Sequence, residues 1–486
     1  MRTNRLYGNG IRRRTISSIT AVLLPALLAT LVAAQDADYQ QLQQRLEQLE
    51  TEVRQLHDAT QTNQSFNDLP PDDAGENVGV LPPAQDTTPP CFTEFPPCRQ
   101  PAKKPPFPTV HLGGFFQIDS GWFSQDANNV ATVGNVRNGT DFRRARLNAH
   151  GQAWDQVGYM AEFDFAFPGR PSFMDVYMDL QELPLLGKLR IGQWRQPFGM
   201  DGQTSVKELT FLERGLPFAF LPFRQIGVGF QDHAPGERMT WALSAFRFPT
   251  GRFGGNIGDS GGYAMATRVT FLPWYELEGS KLLHLGGGYV FGNPSNNRVR
   301  YRNQPEFSVS ETGGGSLIPP GALTGVPPFV DTGPIPTQDF QLFGAEGGLV
   351  LGSLYAQSEA MYASVNQQGG PHLSFSGAYI YAGYFLTGEV RPYNRQAGVF
   401  GRVKPLCNFS SHGGHGAWEL AGRWSYLDLN SDNIAGGRLN DVTLGMNWYL
   451  NPRTKFQFNY IHAFLDHPAL GASDADIFAL RGQVDF

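Results

Sequence analysis

Three cysteines in 486 residues cannot build a disulfide scaffold. No basic stripe or nucleic-acid motif is present, and the formal net charge is −6, so nucleic acid is excluded as a partner. Beyond the first 34 residues, no run of about 18 apolar residues occurs, which excludes a bundle of transmembrane helices. Glycine, by contrast, is plentiful at 57 residues, and aromatic side chains make up 13%. That mixture suits strands joined by tight turns.

The N-terminus carries the marks of an export signal. Arg12, Arg13 and Arg14 precede an apolar core from Ala21 to Val32, and Val32-Ala33-Ala34 offers a small-residue cleavage site. Residues 1–34 are therefore expected to be removed. Export would place Cys91, Cys98 and Cys407 in an oxidising compartment, where Cys91 with Cys98 is the local pairing and Cys407 is left over. In residues 35–60, Tyr39, Leu42, Leu46, Leu49, Val53 and Leu56 step at alternating intervals of three and four, the spacing of a short coiled coil. A single amphipathic helix would show the same stripe. Residues 61–108 are crowded with proline, which fixes φ and removes amide donors, so they form an extended linker with no core of its own.

From residue 109 to 486 the period changes to two. Phe478, Leu480, Gly482, Val484 and Phe486 fall on one face of a strand, and Ala479, Arg481, Gln483 and Asp485 on the other. The same alternation sets Ala145, Leu147 and Ala149 against Arg144, Arg146, Asn148 and His150. It sets Val442, Leu444 and Met446 against Asp441, Thr443 and Asn447, and Phe456 and Phe458 against Lys455, Gln457 and Asn459. A charge facing hydrocarbon at the midplane costs roughly 2–4 kcal/mol, so the polar face must meet water and the apolar face lipid. Such segments recur about sixteen times, near 110–123, 141–152, 158–167, 173–182, 188–196, 224–231, 238–248, 263–272, 281–292, 340–350, 354–364, 377–387, 416–429, 438–450, 454–465 and 476–486. The expected fold is all-β: a transmembrane antiparallel barrel of about sixteen strands, wide enough for an aqueous channel. An even count puts both ends of the barrel in the periplasm, with long connections outside and short turns inside. Residues 388–415 break that rule, being long where a short turn belongs.

Two motifs suggest catalysis or metal binding instead. Gly258-Asp259-Ser260-Gly261-Gly262 spells the sequence around a protease serine, but no histidine motif precedes it and its neighbours are glycines, so a loop is expected. Cys407, His412 and His415 have a loosely metal-like spacing in a loop. Neither motif makes the chain an enzyme, and no cofactor or metal is called for.

Several strands and connections resemble the phosphate-selective porin family, the porins O and P. The pieces that carry the resemblance are Arg143 to Leu147 (RRARL), Ile191 to Met200 (IGQWRQPFGM), Phe211 to Gly215 (FLERG) and Ile226 to Phe230 (IGVGF). Tyr384 to Tyr393 (YFLTGEVRPY), Ala417 to Leu429 (AWELAGRWSYLDL) and Gly445 to Pro452 (GMNWYLNP) continue it. The resemblance implies a trimeric, water-filled outer-membrane porin with inward-folded loops, passing small solutes and drawing in anions such as phosphate or polyphosphate. A channel for other solutes, or a barrel that anchors the membrane to the cell wall through the coiled coil, is the alternative. The basic residues expected to line the pore are Arg144, Arg146, Lys188, Arg190, Arg268, Arg423, Lys455 and Arg481, with Lys207, Arg214 and Arg224 at a constriction loop spanning 197–223. Carboxylates share that face: Glu162, Asp164, Asp175, Asp179, Glu419, Asp441 and Asp485. Each arginine could equally hold the barrel together by pairing with one of them.

Overall fold

The computed structural model describes residues 107–166, 171–184, 186–250, 262–311 and 325–486. The expected signal peptide, the coiled coil, nearly all of the proline-rich linker, Cys91 and Cys98 lie outside the described residues.

Sixteen long strands form one closed antiparallel sheet. They are β1 (His111–Gln125), β2 (Gly139–Trp154), β3 (Val157–Asp164), β4 (Ser172–Leu183), β5 (Gly187–Arg195), β6 (Arg224–His233), β7 (Met239–Arg247) and β8 (Tyr263–Glu276). The second half comprises β9 (Lys281–Asn293), β10 (Ile335–Leu351), β11 (Leu354–Gln367), β12 (His372–Phe385), β13 (Ala417–Ser431), β14 (Ile434–Asn451), β15 (Thr454–His467) and β16 (Gly471–Asp485). Each pairs with its chain neighbours, and β1 closes the circle on β16 with Phe116 opposite Val484 and Asp119 opposite Arg481. Every segment expected from the alternation coincides with one of these strands. Closure leaves no unpaired edge, as a bilayer requires.

The two faces differ as the sequence pattern demands. Along β16, Ala479, Arg481, Gln483 and Asp485 are buried, while Phe478 and Leu480 between them are exposed. Leu112, Trp122, Leu147, Ile191, Leu243, Ile380, Trp424, Leu444 and Phe456 are likewise exposed around the circumference. Such a belt of large apolar side chains is untenable in water and natural in lipid.

The interior is fuller than a simple water-filled channel. One rim bears both chain ends of the barrel and the turns at 155–156, 352–353 and 452–453; the opposite rim bears the connections 196–223 and 294–334. Toward that opposite rim the inward positions become apolar: Phe375, Leu427, Leu439, Ile461, Ala463 and Ile477. They form one core with Leu212, Leu216 and Phe220 of the first long connection and Phe307, Val309 and Phe329 of the second. Burial of these side chains holds both connections inside the barrel.

Residues 386–416, too long for a turn, also fold inward, from the rim that bears the chain ends. Arg402 pairs with Glu208 at 3.0 Å and Asp485 at 2.6 Å, Arg391 donates to the Glu208 carbonyl, and Tyr393 Oη lies 2.6 Å from His284 Nδ1. The break in the turn rule thus has a physical cause: this segment is a third filling of the lumen.

Candidate conduction pathway

The connection 196–223 is the central obstruction, and the sequence around it shows how it is seated. Phe198 lies against strand positions that have no side chain: a Cβ on Gly288 would come within 2.9 Å of its ring, and one on Gly344 within 3.0 Å. Gly199 follows with φ of 73°, a left-handed conformation that glycine adopts without strain. The chain then makes one helical turn, Met200–Gln203, whose first amides donate to the Glu359 carboxylate at 2.5 and 3.0 Å. Arg214 braces the turn from within the loop, donating to the Asp201 and Thr204 carbonyls at 2.7 Å each. Burial pulls that guanidinium down to about 9 against the opposing pull of Asp201, so it stays charged at neutral pH. Arg195 donates to the Gln203 and Thr204 carbonyls from the adjoining strand end.

Glu213 is the electrostatic hub of the loop. Its carboxylate accepts from Arg143, Arg144 and Arg481, each at 2.9 Å. Burial opposes its ionisation, but the three guanidiniums prevail and hold the carboxyl well below the usual range. Sequence alternation did not reveal this residue, because a loop has no period to read.

The eleven basic residues expected at the pore divide by partner. Arg144 and Arg481 meet at Glu213, and Arg481 also grips Asp119 from β1. Arg146 pairs with Asp164 at 2.8 Å, Arg190 with Asp179 at 2.8 Å and Arg224 with Asp175 at 2.9 Å. Lys188 lies 3.8 Å from Asp179, and Lys207 lies 3.6 Å from Asp485. Arg268 pairs with Glu346 at 2.8 Å, and Arg423 pairs with Glu306. Lys455 is buried and donates to the Leu209 carbonyl at 3.0 Å, which leaves Arg214 and Lys455 bound to backbone oxygen. Asp119, Glu213, Glu306, Glu346 and Glu359 are inward acids that the sequence reading had not placed there.

Among the described residues, two sizeable cavities flank the obstruction. The first, about 390 Å³, is lined by Arg143, Arg144, Arg146, Arg214 and Arg224 with Asp164, Glu213 and Glu306. The second, about 750 Å³, is lined by Lys188, Arg190, Arg195 and Arg268 with Glu182 and Asp232, and Gln396 and Ala397 of the third inward segment close part of it. Both lie along the β2–β8 side, whereas the loop 196–223 leans on the wall around β10–β16 through Glu359, Ser425 and Lys455. Basic side chains outnumber acidic ones in each lining. Asp175 and Asp179, which hold Arg224 and Arg190, are outside both linings.

Among the described residues, no group of three His, Cys, Asp or Glu side chains is arranged to hold a metal. Cys407 is an exposed free thiol. Of the Gly258–Gly262 motif, only Gly262 lies among the described residues.

The family model for the phosphate-selective porins O and P matches residues 110–486. Porin O of Pseudomonas aeruginosa is 26% identical over 401 residues, covering 77% of this chain and 88% of that protein. Among solved structures, the loop L8 deletion mutant of OmpT from Vibrio cholerae aligns with a TM-score of 0.46 at 13% identity, over 78% of this chain and 99% of that one. The outer membrane channel DcaP of Acinetobacter baumannii aligns with a TM-score of 0.45 at 12% identity, over 78% of this chain and 97% of that one. With its closed sixteen-strand barrel and a family match that spans every strand, the chain is an outer-membrane porin rather than an enzyme, and it belongs to the phosphate-selective porin O and P family.

Proposed function

We propose that the barrel is an anion-leaning diffusion porin whose solutes pass along the β2–β8 side of the lumen, with phosphate or polyphosphate the leading class. The observation that carries this reading is the excess of guanidinium and ammonium groups lining both cavities. An anion entering a narrow passage loses hydration, and close positive charges replace it. Asp175 and Asp179 fix Arg224 and Arg190 through paired hydrogen bonds and are in neither cavity lining. Arg144, Arg146, Lys188, Arg190, Arg214, Arg224 and Arg268, which line the two cavities, are the proposed anion-attracting set; Lys207, Arg423, Lys455 and Arg481 line neither and are proposed to brace the barrel and its loops. The description of the family, phosphate-selective porin O and P, supports passage of phosphate.

The functional unit in this reading is a homotrimer, with the N-terminal segment in the periplasm and available for cell-wall contact. Reconstitution in a planar bilayer tests the central point. In a KCl gradient the reversal potential should take the sign of chloride preference, and added phosphate should reduce the chloride current. A cation-signed potential with no phosphate effect would reject anion preference while leaving a pore. A barrel serving only as an anchor would give no stepwise openings at all.

A further inference from the structure

The cavity of about 390 Å³ is lined by apolar as well as basic side chains and is not built for a fully hydrated inorganic ion. Between its arginines it presents Met174, Phe218, Pro222, Phe223 and Phe307. Phe218 and Phe223 meet edge to face at 4.9 Å and are only half-buried, leaving ring surface toward the cavity. The Arg224 guanidinium lies 4.9 Å from the Phe223 ring, and Arg214 lies 5.1 Å from Phe218. Arg224 is 92% buried, by its side-chain exposure of 8%. Two of its nitrogens bind Asp175, but Nη1, although buried, has no hydrogen-bond partner among the described residues. A buried donor without an acceptor is costly. Nη1 has almost no surface open to the cavity, so a small movement of the Arg224 side chain would bring it to an anion held there and supply the acceptor. Apolar walls around such a donor penalise a solute that must keep its water shell all round, and they reward one that brings apolar surface of its own. The volume of about 390 Å³ lies within the range of small-molecule sites, roughly 300–1,000 Å³.

We propose that this cavity is a binding site for a compact organic anion with an aromatic body, its acidic group on Arg224 and its ring against Phe218 and Phe223. This rests on the anion-leaning reading above and narrows its solute class. The acidic group can be a carboxylate or a phosphate monoester, since the one guanidinium nitrogen left over by Asp175 can donate to an oxygen of either.

Chloride current through the full-length protein in a planar bilayer tests the proposal, with phenyl phosphate and inorganic phosphate as blockers of matched charge. Phenyl phosphate should reach half-block at a concentration about tenfold lower, a ratio that modest burial of ring surface produces. A parallel pair, benzoate against acetate, should show the same order. In F218S/F223S the two phosphate blockers should converge, whereas F223L, which stays apolar, should keep most of the difference. Equal half-block by phenyl phosphate and phosphate in the wild-type channel would overturn the proposal, and this comparison needs no variant to fold. Persistence of the tenfold ratio in F218S/F223S would also overturn it, because the rings would then contribute nothing. A cation-signed reversal potential would instead strike the underlying anion reading, so the two failures are separable.

Discussion

Glu213 shows how one loop side chain can govern a channel. It is the shared acceptor for Arg143, Arg144 and Arg481, which approach from β2 and β16. Removing one partner of a buried charge cluster costs about 3–5 kcal/mol, because the remaining charges lose compensation. Glu213→Gln should therefore release the middle of the loop, seen as excess current noise and a lower midpoint for heat-induced unfolding in detergent. The pH dependence has a definite sign. The carboxyl of Glu213 is held below its unfolded value, so its contribution is complete above about 4.3 and fades only as pH falls through the depressed value. Wild-type channels should accordingly keep the quiet open state from pH 7 to about 5, while the Gln variant is noisy throughout. Equal noise in both proteins at pH 7 would refute the hub role.

At the scale of elements, the sixteen strands were legible because a barrel wall imposes period two on every residue it contains. Their fillings were not, because a packed loop imposes no period on itself. Its trace lies in the strands instead. Ile461 and Ala463 continue the inward face that Gln457 and Asn459 begin, turning that face from polar to apolar where the connection 294–334 packs. Likewise Gly288 and Gly344 are inward positions left empty for Phe198. Several pieces that carry the family resemblance, Ile191 to Met200, Phe211 to Gly215 and Tyr384 to Tyr393, lie in or run into the inward-folded segments. Glu213 and Glu306 stayed illegible for the same reason, since they come from connections. By contrast Asp164, Asp175 and Asp179, the partners of Arg146, Arg224 and Arg190, lie on strands whose alternation shows them. Gly344→Val tests the seating. Overpacking a close contact costs typically about 1–3 kcal/mol, so the loop should detach intermittently and raise conductance. Gly347→Val is the matched control, because a Cβ there meets its nearest atom, Ser358 Oγ, at an ordinary 3.4 Å. Indistinguishable traces from the two variants would show that Phe198 does not hold the loop.

For the whole molecule, the decisive contact is the seam between first and last strands. β1 pairs with β16 over eleven residue positions, from Phe115 opposite Asp485 to Gln125 opposite Ala475, and Arg481 joins Asp119 across it with both side chains wholly buried. The barrel is therefore completed by residues near 111 and 485, and the family match begins at 110. A chain reduced to residues 107–486 should refold in detergent, shift its gel mobility on heating as closed barrels do, and give the same unit conductance and reversal potential as a chain of residues 35–486. A truncated chain that cannot close, or one that closes with altered selectivity, would mean that the N-terminal segment shapes the pore itself. Unchanged conductance would confine any role of residues 35–106 to what surrounds the barrel, such as association between copies or attachment to the cell wall.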